Sequence, residues 1–326
     1  MRYLEIEGVP RLSKIGLGTW QFGSREWGYG PDYADREAGA IVRRALDLGV
    51  NLIDTAEIYG FGRSERIIGR ALDGRRDDAF LATKVFPVAP LPAVVEQRGT
   101  ASARRLGVRR LDLYQVHWPN PLVTDAPVMG GMKRLRDLGV VDEVGVSNYP
   151  LRRWQRAEEA LGSRVLSNQV QYNLVVRGPD FDLVPWARDH ARVVIASSPL
   201  AQGVLAGTYS PDHRPGGIRR RNPMFLPDNL RRMQPLLDVL RQVAETHDAT
   251  PAQAALAWTL REPNVVAIPG ASSIAQLESN VAAAELVLAA DEIDALDAAA
   301  AAFRPLQGTD AYQQMGRDLI DRVRGR

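Results

Sequence analysis

Two rhythms alternate along this chain. Short apolar runs end on a polar residue, and each is followed by a longer stretch whose apolar positions recur every three or four residues. The run 50–53 is one of the first kind and ends at Asp54. Ahead of it, Ala38, Ile41, Val42 and Ala45 keep the i, i+3, i+4, i+7 spacing of one helix face, which predicts a helix over 35–48. Gly49 then serves as the left-handed stop. Behind the run, Ser64 reads as the N-cap of a helix carrying Ile67, Ile68 and Leu72. The same pairing recurs, with strands over 80–85, 111–116, 143–146, 165–170, 193–196 and 265–268. Helices follow over 91–106, 129–138, 151–161, 181–190, 230–246 and 251–260, and one starts near 273. A strand over 14–18 precedes all of these, and 3–12 reads as a hairpin lid turning at Glu7 and Gly8. The segment 199–229 has no period, and 291–303 and 311–323 read as C-terminal helices.

Eight strand-then-helix units imply a parallel sheet. With no Pro/Ser-rich linker between them, they fit one (β/α)8 TIM barrel, an α/β fold with an N-terminal β-hairpin and extra C-terminal helices, as a single domain over 1–326. A doubly wound open sheet is the alternative. It would open on a Gly-rich dinucleotide loop, and GLGTW at 16–20 does not complete G-x-G-x-x-G. The polar residues favour the barrel independently. Asp54, Lys84, His117, Ser147, Asn148 and Gln169 all stand at predicted C-terminal strand ends, which in a barrel converge on one mouth.

Those strand-end residues define the candidate chemistry. Tyr59 follows Asp54 by five positions, in a glycine-flanked loop. A phenol with a pKa near 10 exchanges protons poorly at neutrality. An ammonium beside it favours the phenolate, so Lys84 is expected to lower it, with Asp54 holding Lys84. Tyr59 can then act as a general acid toward a carbonyl or a general base toward an alcohol, and His117 can orient the substrate oxygen. The plainer alternatives are a capping aspartate, a surface tyrosine, an exposed lysine and a structural histidine. Lys84 follows an apolar run, which argues against simple exposure. None of the four is a redox group, so electron transfer requires a cofactor.

Composition narrows the rest. Of 326 residues, 45% are hydrophobic and 25% charged, with a net charge of +2, so nothing global points to nucleic acid or anionic membrane. The absence of cysteine excludes disulfides, thiolate metal sites and thiol nucleophiles. His117, His190, His213 and His247 lack short ligand spacing, so no metal site is expected. The start, MRYLEIEGVPRLSKIG, has no apolar signal core, and no run suits a membrane span, so a soluble, cytoplasmic protein is expected.

Taken together, GLGTWQFG, GVNLIDTAEIYGFGRSERIIGRAL, LATKV, LDLYQVHWP, GVSNY, SNQVQYN, SPLAQGVLAG and AIPGASS resemble the aldo-keto reductases, in that family's order and over 12–280. SPLAQGVL and IPGASS are similar to its bacterial general-reductase and potassium-channel β-subunit branches. The resemblance implies a (β/α)8 barrel holding NADPH across its mouth and passing hydride to an aldehyde or ketone. It places Asp54, Tyr59, Lys84 and His117 as the catalytic group, with Tyr59 as the acid–base residue. It also implies Thr19, Trp20 and Asp54 beside the nicotinamide ribose, and Ser147, Asn148 and Gln169 on the carboxamide. Leu200, Gln202 and Gly203 would wrap the pyrophosphate. Gly270, Ala271, Ser272 and Ser273 would cradle the adenosine phosphate at a helix N-terminus, and Gln276 and Asn280 would contact adenosine. Ser273 to Gln276 is also an S-x-x-Q capping box, which would draw those side chains away from a ligand.

Three positions depart from the pattern, all of them on the cofactor side. Ser197 stands where the family usually stacks an aromatic on the nicotinamide, Thr208 where this branch has a phosphate-binding lysine, and Ser279 where an acid precedes the asparagine. Arg219, Arg220 and Arg221 can compensate as a phosphate clamp, or form a solvated charge run. Trp20, Trp27, Tyr29, Phe86 and Trp118 can line an aromatic pocket for a bulky or apolar carbonyl, or can simply pack. Two other functions compete with reduction: a nucleotide-sensing barrel that binds partner proteins, and a dehydratase or isomerase on the same scaffold.

Overall fold

The computed structural model describes residues 1–23, 36–308 and 310–311. Strands β1 (Tyr3–Ile6) and β2 (Val9–Ser13) pair as an antiparallel hairpin. Eight further strands lie parallel and in chain order: β3 (Leu17–Gly18), β4 (Leu52–Asp54), β5 (Phe80–Val85), β6 (Leu111–Val116), β7 (Val141–Ser147), β8 (Ser167–Gln171), β9 (Val193–Ser197) and β10 (Val265–Ala267). The seam closes through Gly16 N to Ala267 O at 2.7 Å, Ala267 N to Lys14 O at 2.9 Å and Gly18 N to Pro269 O at 3.1 Å. That closure makes a (β/α)8 barrel and excludes the open-sheet alternative. Only glycine suits the seam. A Cβ on Gly18 would stand 2.6 Å from Ile268 O, and one on Gly16 would stand 2.9 Å from Leu52 O.

Helices α1 (Ala38–Asp47), α2 (Arg63–Ala71), α3 (Pro92–Leu106), α4 (Ala126–Asp137), α5 (Leu151–Leu161) and α6 (Leu183–Asp189) follow β3 to β8 in turn. After β9 come α7 (Pro227–Thr246) and α8 (Pro251–Thr259), and after β10 come α9 (Ile274–Ala282) and α10 (Ala290–Ala302). Alternation along each strand sorts the side chains. In β5, Phe80 and Ala82 join the inner core while Leu81 and Val85 pack against the helices. In β4, Leu52 points inward and Ile53 outward. The same parity carries the last inward positions, Asp54 and Lys84, into the mouth of the barrel, both of them buried.

Several local expectations change. The hairpin is no lid over the mouth: Leu12 belongs to the inner core and Leu4, Ile6 and Val9 pack against it, so β1 and β2 floor the opposite end. Ser64 is not an N-cap. Gly62, at φ +77°, begins α2, and the Ser64 hydroxyl is buried against Thr19 Oγ1 and Thr55 Oγ1, each at 2.9 Å. The aperiodic segment 199–229 folds into short 3-10 turns at Ala201–Ala206, Gly217–Arg221 and Pro223–Phe225 before α7 begins. Trp27, Tyr29 and most of the expected helix over 311–323 lie outside the described residues. Among those described, no helix is long and apolar enough to cross a membrane, and no three His, Asp or Glu side chains are grouped to hold a metal.

Candidate active site

Asp54, from the end of β4, and Lys84, from the end of β5, meet as a buried ion pair at 2.7 Å. Lys84 Nζ also donates to Thr55 O at 2.8 Å, and it lies 3.4 Å from the Tyr59 hydroxyl. Gln169, reaching across from β8, donates Nε2 to the other Asp54 oxygen at 2.7 Å. A lysine with no exposed surface would lose its proton if it stood alone. Burial does work against its charge, but Asp54 and then Tyr59 outweigh it and hold the Lys84 pKa above its ordinary value. Burial pushes the Asp54 carboxyl up, against the downward pull of Lys84 and Gln169.

Tyr59 corrects the sequence expectation. Its pKa is raised: burial pushes the phenol up by more than Lys84 pulls it down. The group is therefore set to keep its proton, and Lys84 limits the rise rather than creating a phenolate. His117 follows β6, is 4% exposed and has its pKa driven down to about 2, first by burial and then by the Lys84 charge. It is a neutral imidazole across the ordinary pH range. Its Nδ1 is buried with no hydrogen-bond partner among the described residues, so its tautomer is open.

Aromatic rings wall this group. The Tyr59 ring meets His117 edge-on at 5.8 Å and faces Trp20 at 6.4 Å. His117 stacks on Trp118 at 3.9 Å, and Phe86 stands edge-on to both His117 and Trp118. Of the five aromatic residues singled out in the sequence, Trp20 packs on Tyr59 and lines the cleft described below, Phe86 and Trp118 pack on His117, and Trp27 and Tyr29 fall outside the described residues.

From Tyr59 a cleft of about 360 Å³ runs across the mouth. Thr19, Trp20, Asp54 and Gln169 line its inner part, together with Ser197. Leu200, Gln202 and Gly203 line it midway, with Gln202 at φ +59° and Gly203 at φ +98°. Gly270, Ser272, Gln276 and Asn280 bound the far side. The structure does not bring every expected residue to the cleft. The Ser147 hydroxyl is spent on Gln169 O at 2.9 Å, and Asn148 Nδ2 on His117 O at 3.1 Å and Ser147 Oγ at 3.0 Å. Ser147 and Asn148 thus tie neighbouring strand ends together, and Ser273 Oγ caps α9 at Gln276 N. The Gln276 side chain accepts from Ser272 N at 2.9 Å and Ser272 Oγ at 2.8 Å, so the capping alternative describes this end of the cleft as it stands.

Sequence reasoning missed two residues, Tyr209 and Gln115. Tyr209 lines the cleft beside Gly203 and lies 3.3 Å from Arg219 Nη1, and Arg219 is the one residue of the arginine run that reaches the lining. Both sit in the aperiodic segment, where no pattern fixes direction. Gln115, hidden inside the apolar strand β6, is buried; its Oε1 accepts from Ser167 Oγ at 3.3 Å, and its Nε2 has no partner among the described residues.

Comparison with known proteins adds the lineage. The model of the Aldo/keto reductase family matches residues 14–301. An uncharacterized oxidoreductase of Mycobacterium bovis is 56% identical over 99% of this chain and 98% of its own length. The methylglyoxal reductase YeaE of Escherichia coli is 33% identical over 91% of this chain and 94% of its own. Among solved structures, an aldo/keto reductase of Klebsiella pneumoniae in complex with NADP and acetate superposes with a TM-score of 0.74, at 30% identity, over 94% of this chain and 96% of that one.

Proposed function

The chain belongs to the aldo/keto reductase family, and we propose that it reduces an aldehyde or ketone to the alcohol with NADPH, Tyr59 delivering the proton. One observation carries this reading: the Tyr59 hydroxyl stands at the inner end of the cleft, 3.4 Å from an ammonium that Asp54 holds at 2.7 Å. The cleft also suits an elongated anionic dinucleotide. Its lining offers the Gln169 amide, the turned backbone at Gln202 and Gly203, and Arg219 beside Tyr209.

When bound, NADPH supplies the hydride that the carbonyl carbon accepts. The chain's own residues do the rest. Tyr59 keeps its proton until the substrate oxygen gains charge, then gives it to that oxygen. Lys84 steadies the phenolate left behind, and Asp54 with Gln169 keeps Lys84 in register. His117, neutral and packed between Tyr59 and Trp118, would orient the same oxygen by donating a hydrogen bond from an imidazole N–H. The phosphate clamp is assigned to Arg219, with Ser272 and the start of α9 joining once Gln276 turns away.

Tyr59→Phe tests the reading. NADPH titrated by protein fluorescence should bind the variant within about threefold of the parent. Aldehyde-dependent NADPH oxidation should fall by roughly 10²–10⁴-fold, the worth of a general acid. Normal turnover in the variant would remove Tyr59 from the chemistry. Tight NADPH binding with no turnover of any aldehyde by the parent would favour a nucleotide sensor.

A further inference from the structure

The segment that follows β9 breaks a backbone rule. Ser198, Ala201 and Gln202 have φ of +48°, +48° and +59°, a region that residues other than glycine avoid, and Gly203 follows at +98°. Such conformations persist where the surroundings impose them. Two turns close the segment on itself: Ala201 N donates to Ser198 O at 2.9 Å, and Gly203 N donates to Leu200 O at 2.8 Å. A further tie comes from another loop. Asn173 Nδ2 donates to the same Ser198 O at 2.9 Å.

Asn173 stands two residues beyond β8 and has no exposed surface. Ser198 lines the cleft, whereas Asn173 is not part of the lining. Asn173 Oδ1 accepts from Val175 N and Val176 N, both at 3.0 Å, and backbone hydrogen bonds between Asn173 and Val176 close the same turn. The two valine N–H groups fix which end of the amide is the oxygen, so the N–H end faces Ser198 O. The neighbouring residue is tied as well. Tyr172 N donates to Ser197 O at 3.3 Å, and its hydroxyl donates to Asp180, which also accepts from Arg261 Nη2 at 2.7 Å. We propose that Asn173 is a positioning residue for the dinucleotide. It holds the Ser198 carbonyl, and through it the left-handed stretch 198–203, in the shape that receives the cofactor before the cofactor arrives. A wall already in its bound shape need not be ordered on binding. This rests on the NADPH-dependent reading and adds to it a residue that touches neither cofactor nor substrate.

Two variants of the full chain test the role. Asn173→Asp keeps the shape and the oxygen that Val175 and Val176 use, and replaces only the donor that faces Ser198 O. Asn173→Ser keeps a short acceptor for the same turn, is too short to reach Ser198, and serves where the buried carboxylate prevents folding. The Kd for NADPH, read by protein fluorescence, should rise about three- to tenfold in either variant, as for the loss of one hydrogen bond. The KM for NADPH should rise with it, while kcat at saturation stays within about threefold of the parent. The Kd for 2′,5′-ADP, which carries the adenosine end alone, should stay within about twofold, because that end binds away from Ser198. A general loss of structure would weaken both ligands. In a Ser198→Gly chain, glycine adopts φ near +48° unaided, so adding either Asn173 substitution should change NADPH binding less than about twofold. Unchanged NADPH binding in both Asn173 variants overturns the proposal. So do equal losses for NADPH and 2′,5′-ADP, or an undiminished loss in the Ser198→Gly chain. The expected binding pattern in a parent that reduces no aldehyde would retire the reductase reading alone and keep the role of Asn173.

Discussion

The two ends of the barrel each bury a lysine, and the two lysines are treated in opposite ways. At the mouth, Lys84 meets Asp54 at 2.7 Å and its pKa is raised. At the floor, Lys14 is 4% exposed and donates to two backbone carbonyls, Glu262 O at 2.8 Å and Pro263 O at 3.1 Å. Burial, with the nearby Arg2 charge, drives its pKa down to about 7, and the Glu262 carboxylate opposes this only in part. Carbonyls satisfy an ammonium's hydrogen bonds but bring no full negative charge to offset its desolvation. The floor lysine therefore ties β10 to the strand leading into β3 and carries a charge only part of the time. The mouth lysine keeps a permanent charge, which is what a proton donor beside it requires.

The largest test of this contrast is Lys84→Met. It leaves Asp54 buried with only Gln169, and breaking a buried pair from one side costs about 3–5 kcal/mol. Turnover should fall by at least roughly 10²-fold, as it does when a general acid loses its support. Urea unfolding should show a smaller stability loss at pH 4.5 than at pH 8, because Asp54 can take up a proton at the lower pH. Equal losses at the two pH values would mean that Asp54 carries no charge in the parent.

Lys14→Met should behave in the opposite way, with activity kept. Here the folded pKa of about 7 lies below the ordinary 10.5, so between those values the unfolded chain holds more protons. Lys14 therefore adds to the stability of the parent as pH rises from about 7 toward 10, by up to about 1.4 kcal/mol per pH unit. Below pH 7 both states are protonated and the desolvation cost is present in full. Unfolding at pH 7, 8 and 9 should show that part of the slope in the parent and not in Lys14→Met. Lys84, with its pKa raised, gives no such gain in that window: its stabilising contribution is whole below about 10.5 and is lost only above. Identical slopes in parent and Lys14→Met would mean that the floor lysine is as well compensated as the mouth lysine.

Most of the mouth was legible because strand parity is a local rule. Asp54 and Lys84 each follow alternating apolar neighbours, so the side on which the polar residue falls can be read from Leu52 and Phe80. His117 and Gln169 were found in the same way, at strand ends. Closure of the barrel was legible as a count of units. Where a short polar side chain spends its hydrogen bonds was not legible, because that depends on residues far away in sequence. Ser64 resembles a cap and instead bonds Thr19, while Ser147 and Asn148 donate to the Gln169 and His117 carbonyls, which no local pattern announces. The hairpin was read as a lid because its pattern does not say which end of the barrel it covers. Tyr209 was beyond reach because an aperiodic segment carries no direction, and for the same reason the sequence did not say which of Arg219, Arg220 and Arg221 faces the cleft.

The smallest expected effect concerns Ser197, which lines the cleft where the family resemblance calls for an aromatic. The nearest aromatic that the 199–229 segment contributes to the lining is Tyr209, and it packs edge-on to Phe225 at 5.2 Å and beside Gly203. It is therefore committed to the middle of the cleft and does not stand in for a ring at Ser197. Ser197 is only partly buried, and its backbone O accepts from Tyr172 N at 3.3 Å, so a larger side chain can be added without breaking that contact. A ring stacked on a flat ligand is worth roughly 0.5–1.5 kcal/mol beyond its area. Ser197→Tyr should therefore tighten NADPH binding by a factor of about two to ten, since each 1.4 kcal/mol is tenfold. Turnover of short aldehydes should rise with it, because a nicotinamide fixed on one face presents its hydride in one direction. If the serine is there to make room for a substrate, the tyrosine over-packs the site at a cost of roughly 1–3 kcal/mol, and NADPH binding weakens. The sign of the change in one fluorescence titration decides between these, and weaker binding would mean that the mouth is shaped around Ser197 for a guest larger than the cofactor.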